Sequence, residues 1–482
     1  MRGFNAFLVF AGCLALSSCG GGGGGGGGGG PVNGAPTITS PGTASVAEGA
    51  TGTVYQATAT DPDGNAATYS ISGTDAARFT ITAAGALSFV APPDFEAPTD
   101  SDANNVYLVT LVASDGQLSA QIPLSITVTN VADSAAYKRV ATVPGAVEAV
   151  GIPGSNNLFV LTVNGRIFLV DPQSGQQGPG TLFMTLPNVG NNCGFAIGCG
   201  ALSIVPAPDY ATSGVFYVSV STPAGPTEVR RYRRSSATAG DVSSGDVILT
   251  IPTFIRSLTQ FSAELAFGPD GFLYVLTGQG GNLDAPQTRG DRRGKVLRID
   301  VSQDAFPADP LRDYAIPSDN PSLGGTVDEV YALGLYNPQG AAFRGADLLF
   351  GDNTPVDSFE VNLLRPQDKG ANYGYPFQQK NPPAGITSGV VLTGGPSGFG
   401  VGGRVYRGPG AALQNLYLYS SSPHGVHAEA AAQLVQGTTI TPGTPRTDLN
   451  PPEKDILSFA EDSAGNLYIL VQSGSLYKLE VS

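Results

Sequence analysis

Acidic residues in the first third of the chain stand in short loops, at spacings that allow several carboxylates to face one point. Asp61 and Asp63 are two residues apart, as are Asp94 and Glu96, and Asp115 precedes a glycine. Carboxylates paired on an extended loop suit a hard cation that takes oxygen ligands at about 2.4 Å. These loops therefore predict calcium binding; the alternative is a set of turn residues whose carboxylates bond their own backbone.

The two histidines of the chain stand close together, which leaves few other candidates for a general base or a nitrogen ligand. His424 and His427 are three residues apart, and Glu429 follows. Imidazoles titrate near neutral pH, so this segment can supply a base or, with Glu429, a metal site. The alternative is a surface loop with two solvated imidazoles, and that is the interpretation we favour from the sequence.

Cys193 and Cys199 flank a short stretch in a loop rich in glycine and asparagine. In an oxidising compartment this spacing favours a local disulfide. Such a bond closes a small loop, so its stabilising effect is modest. A zinc site is not expected there, because no histidine or further cysteine lies near in the sequence.

Short runs of alternating apolar and polar residues must hold the acidic loops in place. Glycine, proline, aspartate and asparagine separate them, which is the pattern of a β-sandwich of about one hundred residues. The runs lie at residues 52–60, 67–72, 79–82, 86–90, 107–114 and 122–128.

The order of the acidic motifs in residues 32–133 resembles the cadherin repeat. The matching motifs are an early glutamate at Glu48, A-x-D-x-D at Asp61 and Asp63, D-x-E at Asp94 and Glu96, and A-x-D-G at Asp115. The resemblance implies calcium at both ends of this domain. Asp61, Asp63 and Asp115 are expected at the end facing Asn33, and Glu48, Asp94 and Glu96 at the opposite end, near Asp133.

Residues 137–482 repeat a pattern of an apolar strand, a glycine turn and a second strand. Six such units over about 340 residues predict a six-bladed β-propeller, in which each sheet is buried on both faces by its neighbours. The paired runs are 157–161 with 165–168, 214–218 with 229–232, 271–275 with 294–300, 346–350 with 359–362, 403–406 with 415–419, and 465–469 with 475–478. The fold class is therefore all-β, a cadherin-like β-sandwich followed by a six-bladed propeller.

The propeller segment resembles the glucose/sorbosone dehydrogenase family across nearly its whole length. The matching motifs, in family order, are residues 266–271, 294–300, 314–321, 331–340, 371–376 and 403–408. The resemblance implies an oxidoreductase that uses pyrroloquinoline quinone (PQQ) and calcium to oxidise aldoses. In such an enzyme the cofactor carries the redox chemistry, and the protein supplies a base and polar groups that hold the ring.

The resemblance places Gln260, Gln279, Tyr336 and Asn337 at positions that face the cofactor in this family, and the first three differ from the family residues. The catalytic histidine position is Gln260, the acidic position of the Gly-Asp-Gly-Gly loop is Gln279, and the arginine before Asn337 is replaced by Tyr336. Glutamine does not accept a proton near neutral pH, so inherited base catalysis needs another residue. Two functions follow as hypotheses: a PQQ-dependent sugar dehydrogenase, or a non-catalytic propeller that binds carbohydrate or protein at a cell surface.

The N-terminus has the features of an exported lipoprotein. Residues 1–18 hold Arg2, an apolar run and small residues before Cys19, which is typical of a signal peptide too short to span a membrane. Leu-Ser-Ser-Cys resembles the bacterial lipobox, which implies lipid on Cys19 and an outer-membrane lipoprotein at the periplasmic or cell-surface face. Residues 19–31 are almost all glycine and predict a flexible tether.

The charge balance excludes one class of partner. The chain has 25 Lys+Arg against 39 Asp+Glu, a net charge of −14. Such a surface argues against nucleic acid or an anionic membrane as a general partner. It suits cations, and the partners expected are the membrane through the lipid, and sugars or cell-surface ligands.

Overall fold

The computed structural model divides the chain into two compact units, Met1–Val131 and Ala132–Ser482. It describes residues 32–93, 95, 98–129, 135–175, 177–190, 200–252, 262–322, 328–355, 359–376, 390–393, 400–408, 413–421, 425–435, 446 and 449–481. In this described part, no helix combines the length and apolar character needed to cross a membrane.

The first unit is a sandwich of short strands. Its strands are β1 Thr37–Ile38, β2 Thr43–Ala47, β3 Thr53–Gln56, β4 Ala59–Thr60, β5 Thr68–Ser72, β6 Phe79–Ile81, β7 Ala86–Phe89, β8 Val106–Ser114 and β9 Ser119–Thr129, with a 3-10 turn at Ala76–Arg78. One sheet has the order β2-β9-β8-β5, a second has β3-β7-β6, and β1 pairs with β4. The sequence analysis missed β1 and β2, whose small residues give a weak apolar signal.

An aromatic cluster forms the core of the sandwich. The rings of Phe79 and Phe89 lie 4.3 Å apart, and Tyr107 meets both edge-on at 5.7 and 5.1 Å. Edge-to-face packing of this kind stabilises beyond the area that it buries. Tyr107 is fully buried, and its hydroxyl oxygen accepts a hydrogen bond from the Thr99 N–H.

The second unit consists of six radial sheets, so the predicted six-bladed propeller is confirmed. Blades one and two consist of β11 Ala146–Gly151, β12 Leu158–Thr162, β13 Arg166–Val170 and β14 Thr181–Thr185, and of β15 Ala201–Pro206, β16 Val215–Ser221, β17 Thr227–Ser236 and β18 Ala239–Ile251. Blades three and four consist of β19 Ala263–Phe267, β20 Leu273–Thr277, β21 Lys295–Ile299 and β22 Val330–Leu333, and of β23 Pro338–Arg344, β24 Asp347–Asp352, β25 Glu360–Leu364 and β26 Val390–Thr393. Blade five consists of β27 Gly400–Val405, β28 Leu416–Ser421 and β29 Gly425–Ala430, and blade six of β30 Ile456–Glu461, β31 Leu467–Val471 and β32 Ser475–Val481 with β10 Ala135–Thr142. Short helical turns lie at Tyr210–Ser213, Ala285–Gln287, Pro366–Asp368 and Ala431–Gln433.

The two ends of the propeller segment close the ring. Strand β10 pairs antiparallel with β32, from Ala135 opposite Val481 to Thr142 opposite Ser475. The sixth blade therefore takes one strand from the start of the unit and three from its end. A circular fold closed in this way removes the free outer edge that an open array of sheets would leave.

The innermost strand of each blade has one edge without a strand partner, and polar side chains bridge it to the next blade. Neighbouring inner strands contact one another around the whole ring. The bridges run from the Ile204 N–H to Glu148 at 2.6 Å, from the Leu265 N–H to Ser203 at 3.1 Å, from the Ala341 N–H to Glu264 at 3.3 Å, and from the Ala149 N–H to Ser458 at 3.0 Å. We call these four side chains, together with Arg404, the inner ring.

Arg404 supplies the inner ring with its positive charge. Its guanidinium donates to the Ala341 carbonyl on the neighbouring blade. Glycine lets these two blades approach, because a Cβ at Gly402 would lie 2.3 Å from the Gly340 carbonyl oxygen. Burial and the nearby Glu264 raise the pKa of Glu148 well above its ordinary value, whereas Arg404 opposes this shift.

Glu148→Gln tests the inner ring. A carboxyl group whose pKa is raised by folding contributes stability while it is protonated, and that contribution is lost as the pH rises through the raised value. We therefore expect the unfolding free energy of the wild type to fall, relative to that of Glu148→Gln, as the pH rises above the ordinary pKa range of a glutamate. Denaturant titrations measure this difference, and the exposed Glu480→Gln is the control. A difference that does not change with pH would contradict the assignment.

Candidate functional site

The connection between β20 and β21, residues 278–294, forms one wall of the candidate site. Thr277 ties its two ends, because its hydroxyl donates to the Arg292 carbonyl at 2.6 Å and accepts from the Lys295 N–H at 3.0 Å. The buried Lys295 ammonium donates to the Ala285 and Arg293 carbonyls at 2.6 and 2.7 Å. Burial lowers the pKa of Lys295 to about 7. Lys295 is therefore the internal anchor of this loop.

The connection from blade three to blade four, residues 334–337, forms the adjoining wall. Gly334 has a φ of +85° and donates its N–H to the Gly294 carbonyl. A Cβ at Gly334 would lie 2.4 Å from the Asn372 side-chain oxygen, so only glycine fits. The Gln279 N–H donates to the Tyr336 carbonyl at 2.8 Å, which joins the two walls directly. Strands of an antiparallel meander alternate in direction, so both connections lie at one face of the propeller, named here the site face.

A buried carboxylate fixes the backbone of the second wall. Asp352, at the end of β24, accepts from the Tyr336 N–H at 2.9 Å with one oxygen and from the Asn337 N–H at 2.6 Å with the other. Burial raises the pKa of Asp352 to about 6, although hydrogen bonds from the backbone oppose this shift.

Asn353 continues the polar network to blade five. Its side-chain amide donates to the Gly400 carbonyl at 2.9 Å and accepts from the Gly400 N–H at 2.7 Å. Its own N–H donates to the Asn337 carbonyl at 3.2 Å. One buried side chain therefore connects the site wall to the first strand of the next blade.

An aromatic pair gives the site face its apolar surface. The rings of Tyr336 and Tyr375 lie 4.6 Å apart at an interplanar angle of 57°. Two hydrogen bonds hold Tyr375. Its N–H donates to the Gly334 carbonyl, and the Gln287 side-chain amide donates to the Tyr375 carbonyl. Tyr375 is buried and Tyr336 is partly exposed, so Tyr336 is the ring that can contact a ligand.

The structure therefore brings together three of the residues proposed from the sequence: Gln279, Tyr336 and Asn337. The fourth, Gln260, lies outside the described residues, as do Cys19, Cys193, Cys199, Asp94, Glu96 and Asp133. Sequence reasoning missed Asp352 and Asn353. Their signal is a Gly-Asp-Asn sequence directly after the apolar strand 348–350, where polar residues end a buried strand.

His427 is not in a solvated loop, so that expectation is wrong for this residue. It lies in β29 and is 4% exposed. Its Nε2 is 2.8 Å from the Ser421 hydroxyl, and its ring stacks on Tyr419 at 5.0 Å. His427 lies opposite Tyr419 in the β28–β29 pair, and burial of this pair, which the sequence does not reveal, decides its environment. His424 lies outside the described residues.

The sandwich acids that the structure describes hold turns. Asp61 accepts from the N–H groups of Asp63 and Asn65 at 2.9 and 3.1 Å, and Asp115 accepts from the Asn33 side chain at 2.7 Å. Backbone hydrogen bonds from Leu118 and Gln117 lower the pKa of Asp115. Within the described residues, no group of three or more His, Cys, Asp or Glu is placed to hold a metal ion.

Glu48 lies apart from these acids, next to the loop that contains Phe95. Its carboxylate accepts from the Phe95 N–H at 3.0 Å, and its own N–H donates to the Thr129 carbonyl. The acids that the structure describes are thus placed in two groups, one beside Asn33 and one beside the 93–95 loop.

Comparison with known proteins identifies the family that the propeller resembles. Residues 148–383 match the family model described as Glucose / Sorbosone dehydrogenase. The propeller resembles the PQQ-dependent sugar dehydrogenases. The resemblance predicted from the motifs is therefore confirmed.

Curated relatives include both enzymes and a protein named for binding. Quinoprotein glucose dehydrogenase B of Acinetobacter calcoaceticus is 30% identical over 255 residues, which cover 46% of this chain and 48% of the relative. Hedgehog-interacting protein of Homo sapiens is 28% identical over 371 residues, 68% of this chain and 49% of the relative. The chain thus spans about half the length of the curated relatives that it matches.

Solved structures share the propeller fold. The PQQ-bound aldose sugar dehydrogenase of Streptomyces coelicolor has a TM-score of 0.53 and 21% identity, covering 72% of this chain and 98% of that chain. The soluble aldose sugar dehydrogenase of Escherichia coli, in its apo form, has a TM-score of 0.55 and 20% identity, covering 72% and 99%. At these identities the likeness concerns the fold alone.

The described residues of the site do not fit PQQ. This quinone carries three carboxylates, so it needs cationic partners, and sugar oxidation needs a base. On this wall Lys295 has its ammonium buried on two carbonyls, Arg292 pairs with Glu329 at 2.5 Å, and Arg293 pairs with Asp291 at 2.5 Å. These three cations are engaged within the protein, whereas Arg289 on the same connection is exposed. One exposed arginine is fewer cations than three carboxylates need, so the described residues do not by themselves match this quinone.

Asn353→Ala tests the link between the site walls and blade five. The substitution leaves the buried N–H and carbonyl of Gly400 without their partners, each at a cost of about 1 to 3 kcal/mol. We expect the unfolding free energy to fall by about 2 to 4 kcal/mol, measured by urea denaturation. The control is Asn156→Ala on the exposed surface, with an expected change within about 0.5 kcal/mol. Equal losses in both variants would contradict this role.

Proposed function

We propose that the propeller binds a neutral carbohydrate at the site face and does not oxidise it. The observation that carries this proposal is the partly exposed ring of Tyr336, in a connection whose neighbouring amides, Gln279 and Asn337, are 1% and 5% exposed. An aromatic face with uncharged hydrogen-bonding groups matches a sugar ring, which has apolar C–H faces and polar hydroxyls. Tyr336 stands where the family resemblance implies a cation, so the site favours an uncharged ligand.

Two further observations support binding without turnover. Gln260 stands where the family resemblance implies the catalytic histidine, and an amide does not take up the proton of a sugar hydroxyl near neutral pH. A relative that matches more than two thirds of this chain is named Hedgehog-interacting protein, a name that describes binding. A propeller framework with glutamine at this position is consistent with a recognition module.

PQQ-dependent aldose oxidation is the second candidate function. It is supported by the family model over residues 148–383 and by the relative named quinoprotein glucose dehydrogenase B. In that case a base other than Gln260 is required, and further cationic partners must come from outside the described residues.

A direct assay distinguishes the two functions. Purified protein is mixed with PQQ, calcium and a panel of aldoses, and dye reduction is followed; separately, labelled protein is applied to a glycan array. We expect no turnover, with sugar binding that Tyr336→Ala weakens about tenfold or more, because stacking on the ring is lost. The control is Tyr69→Ala in the first unit. Dye reduction that depends on PQQ would overturn the proposal in favour of the second candidate.

We also propose that the first unit binds calcium and that lipid on Cys19 anchors the chain to the outer membrane. The order of the acidic motifs supports the calcium site. The acids Asp63 and Asp115 lie beside Asn33 and Gly34, where the cadherin resemblance implies a ligand group. The leader sequence supports the anchor.

Calcium-dependent melting of the full chain tests the first of these proposals. A ligand that binds only the folded state at one hundred times its Kd stabilises by about 2.7 kcal/mol. We expect calcium to raise the melting temperature of the first unit, and Asp63→Asn with Asp115→Asn to abolish the increase. Asp171→Asn, an acid that holds a turn in the propeller, is the control. Melting that is unaffected by chelator would show that the acids only hold turns.

A further inference from the structure

We propose that Asp352 is a positioning residue for the site face, and that binding there weakens when this carboxyl takes up a proton. The inference rests on the proposed binding function for its consequence, but its structural part is independent of any ligand. Asp352 contacts no ligand surface itself, because it is 1% exposed. It acts through the backbone that carries Tyr336 and Asn337.

The geometry favours an ionised carboxylate. Its two oxygens accept from two successive N–H groups, Tyr336 at 2.9 Å and Asn337 at 2.6 Å. These N–H groups lower the pKa of the buried carboxyl, so its pKa rises further if they leave it inside the protein. Protonation therefore favours an arrangement in which the connection has moved away from a still-buried Asp352.

The connection passes this constraint on to the rest of the site face. The Tyr336 carbonyl accepts from the Gln279 N–H at 2.8 Å, and the Asn337 carbonyl accepts from the Asn353 N–H at 3.2 Å. If the two N–H groups leave Asp352, Tyr336 and Asn337 shift together. The site then loses the stacking surface that the partly exposed Tyr336 ring presents.

The titratable groups that face Asp352 come from three elements. Tyr336 lies on the connection itself, Tyr375 on the following segment, and Glu360 directly opposite Asp352 on β25. Burial raises the pKa of Tyr375 to about 12, with a smaller contribution from Asp352, so this phenol stays neutral in the range of interest. Asp352 has a raised pKa of about 6, and Glu360 is the other group to be tested.

Hydrogen exchange of the full chain measures the positioning without a ligand. After correction for intrinsic exchange rates, we expect the protection of the peptide that contains Tyr336 and Asn337 to fall as the pH drops from about 8 towards about 6, by up to about tenfold per pH unit, and to level off below about 6. In Asp352→Asn, protection at neutral pH is about tenfold lower and independent of pH, because an amide cannot accept from both N–H groups. The wild-type series needs no variant, so the test stands even if Asp352→Asn folds poorly.

Two controls make the result specific. Asp462 is also buried and holds two backbone N–H groups, those of Ala464 and Asn466 at 2.9 and 3.0 Å, but in the turn between β30 and β31. Asp462→Asn is expected to leave exchange at Tyr336 as in wild type. Glu360→Gln is expected to retain the dependence on pH. Loss of that dependence in Glu360→Gln, or its persistence in Asp352→Asn, would overturn the proposal.

A binding arm separates this inference from the proposed function. The probe is the best glycan from the array, titrated from about pH 5 to pH 8. Affinity that falls as the pH drops from about 8 towards about 6 in wild type but not in Asp352→Asn supports the proposal. If exchange depends on Asp352 and no glycan binds, the positioning role stands and carbohydrate binding fails. If a glycan binds and hydrogen exchange does not depend on Asp352, carbohydrate binding stands and this inference fails.

Discussion

The inner strand of each propeller blade has one edge that its own sheet does not cover, and this constraint governs the rest of the structure. Backbone N–H and carbonyl groups on a buried edge must find partners. Glu148, Ser203, Glu264 and Ser458 supply acceptors to the following blade, and Arg404 supplies a donor to the preceding one. The ring is thus held from inside by these contacts and closed from outside by the pairing of β10 with β32.

The loops of the site face meet the same requirement, that buried backbone N–H and carbonyl groups find partners. Asp352 and Asn353 end a buried strand and bond the backbone of the neighbouring connection and of the next blade. Because these carboxylate and amide groups bond the framework, the partly exposed Tyr336 is the residue of this connection that can face a ligand. This division between structural carboxylates and neutral contact groups separates the present site from one that binds an anionic quinone.

Most of the fold was accessible from the sequence because its signals are local and repeated. The paired runs around 271–275 and 294–300 became β20 and β21, and the same holds for the other five units, with the pair in blade five formed by β27 and β28. The sequence was less informative for β2, which has small residues, and for β10, whose partner lies more than 330 residues away. Pairing over such a distance leaves no local pattern.

The sequence by itself determined the blade count, the sandwich and the family framework, since apolar periodicity and turn residues are properties of short segments. It also determined the residue types at Gln279 and Tyr336, and so the absence of an acid and of a cation at those two positions. Only the tertiary structure decided that Asp352 holds the Tyr336 connection, and that His427 is buried against Tyr419. Both depend on the register of neighbouring strands, with Pro338 opposite Asp352 and Tyr419 opposite His427, and on burial, which arises only when distant segments pack together.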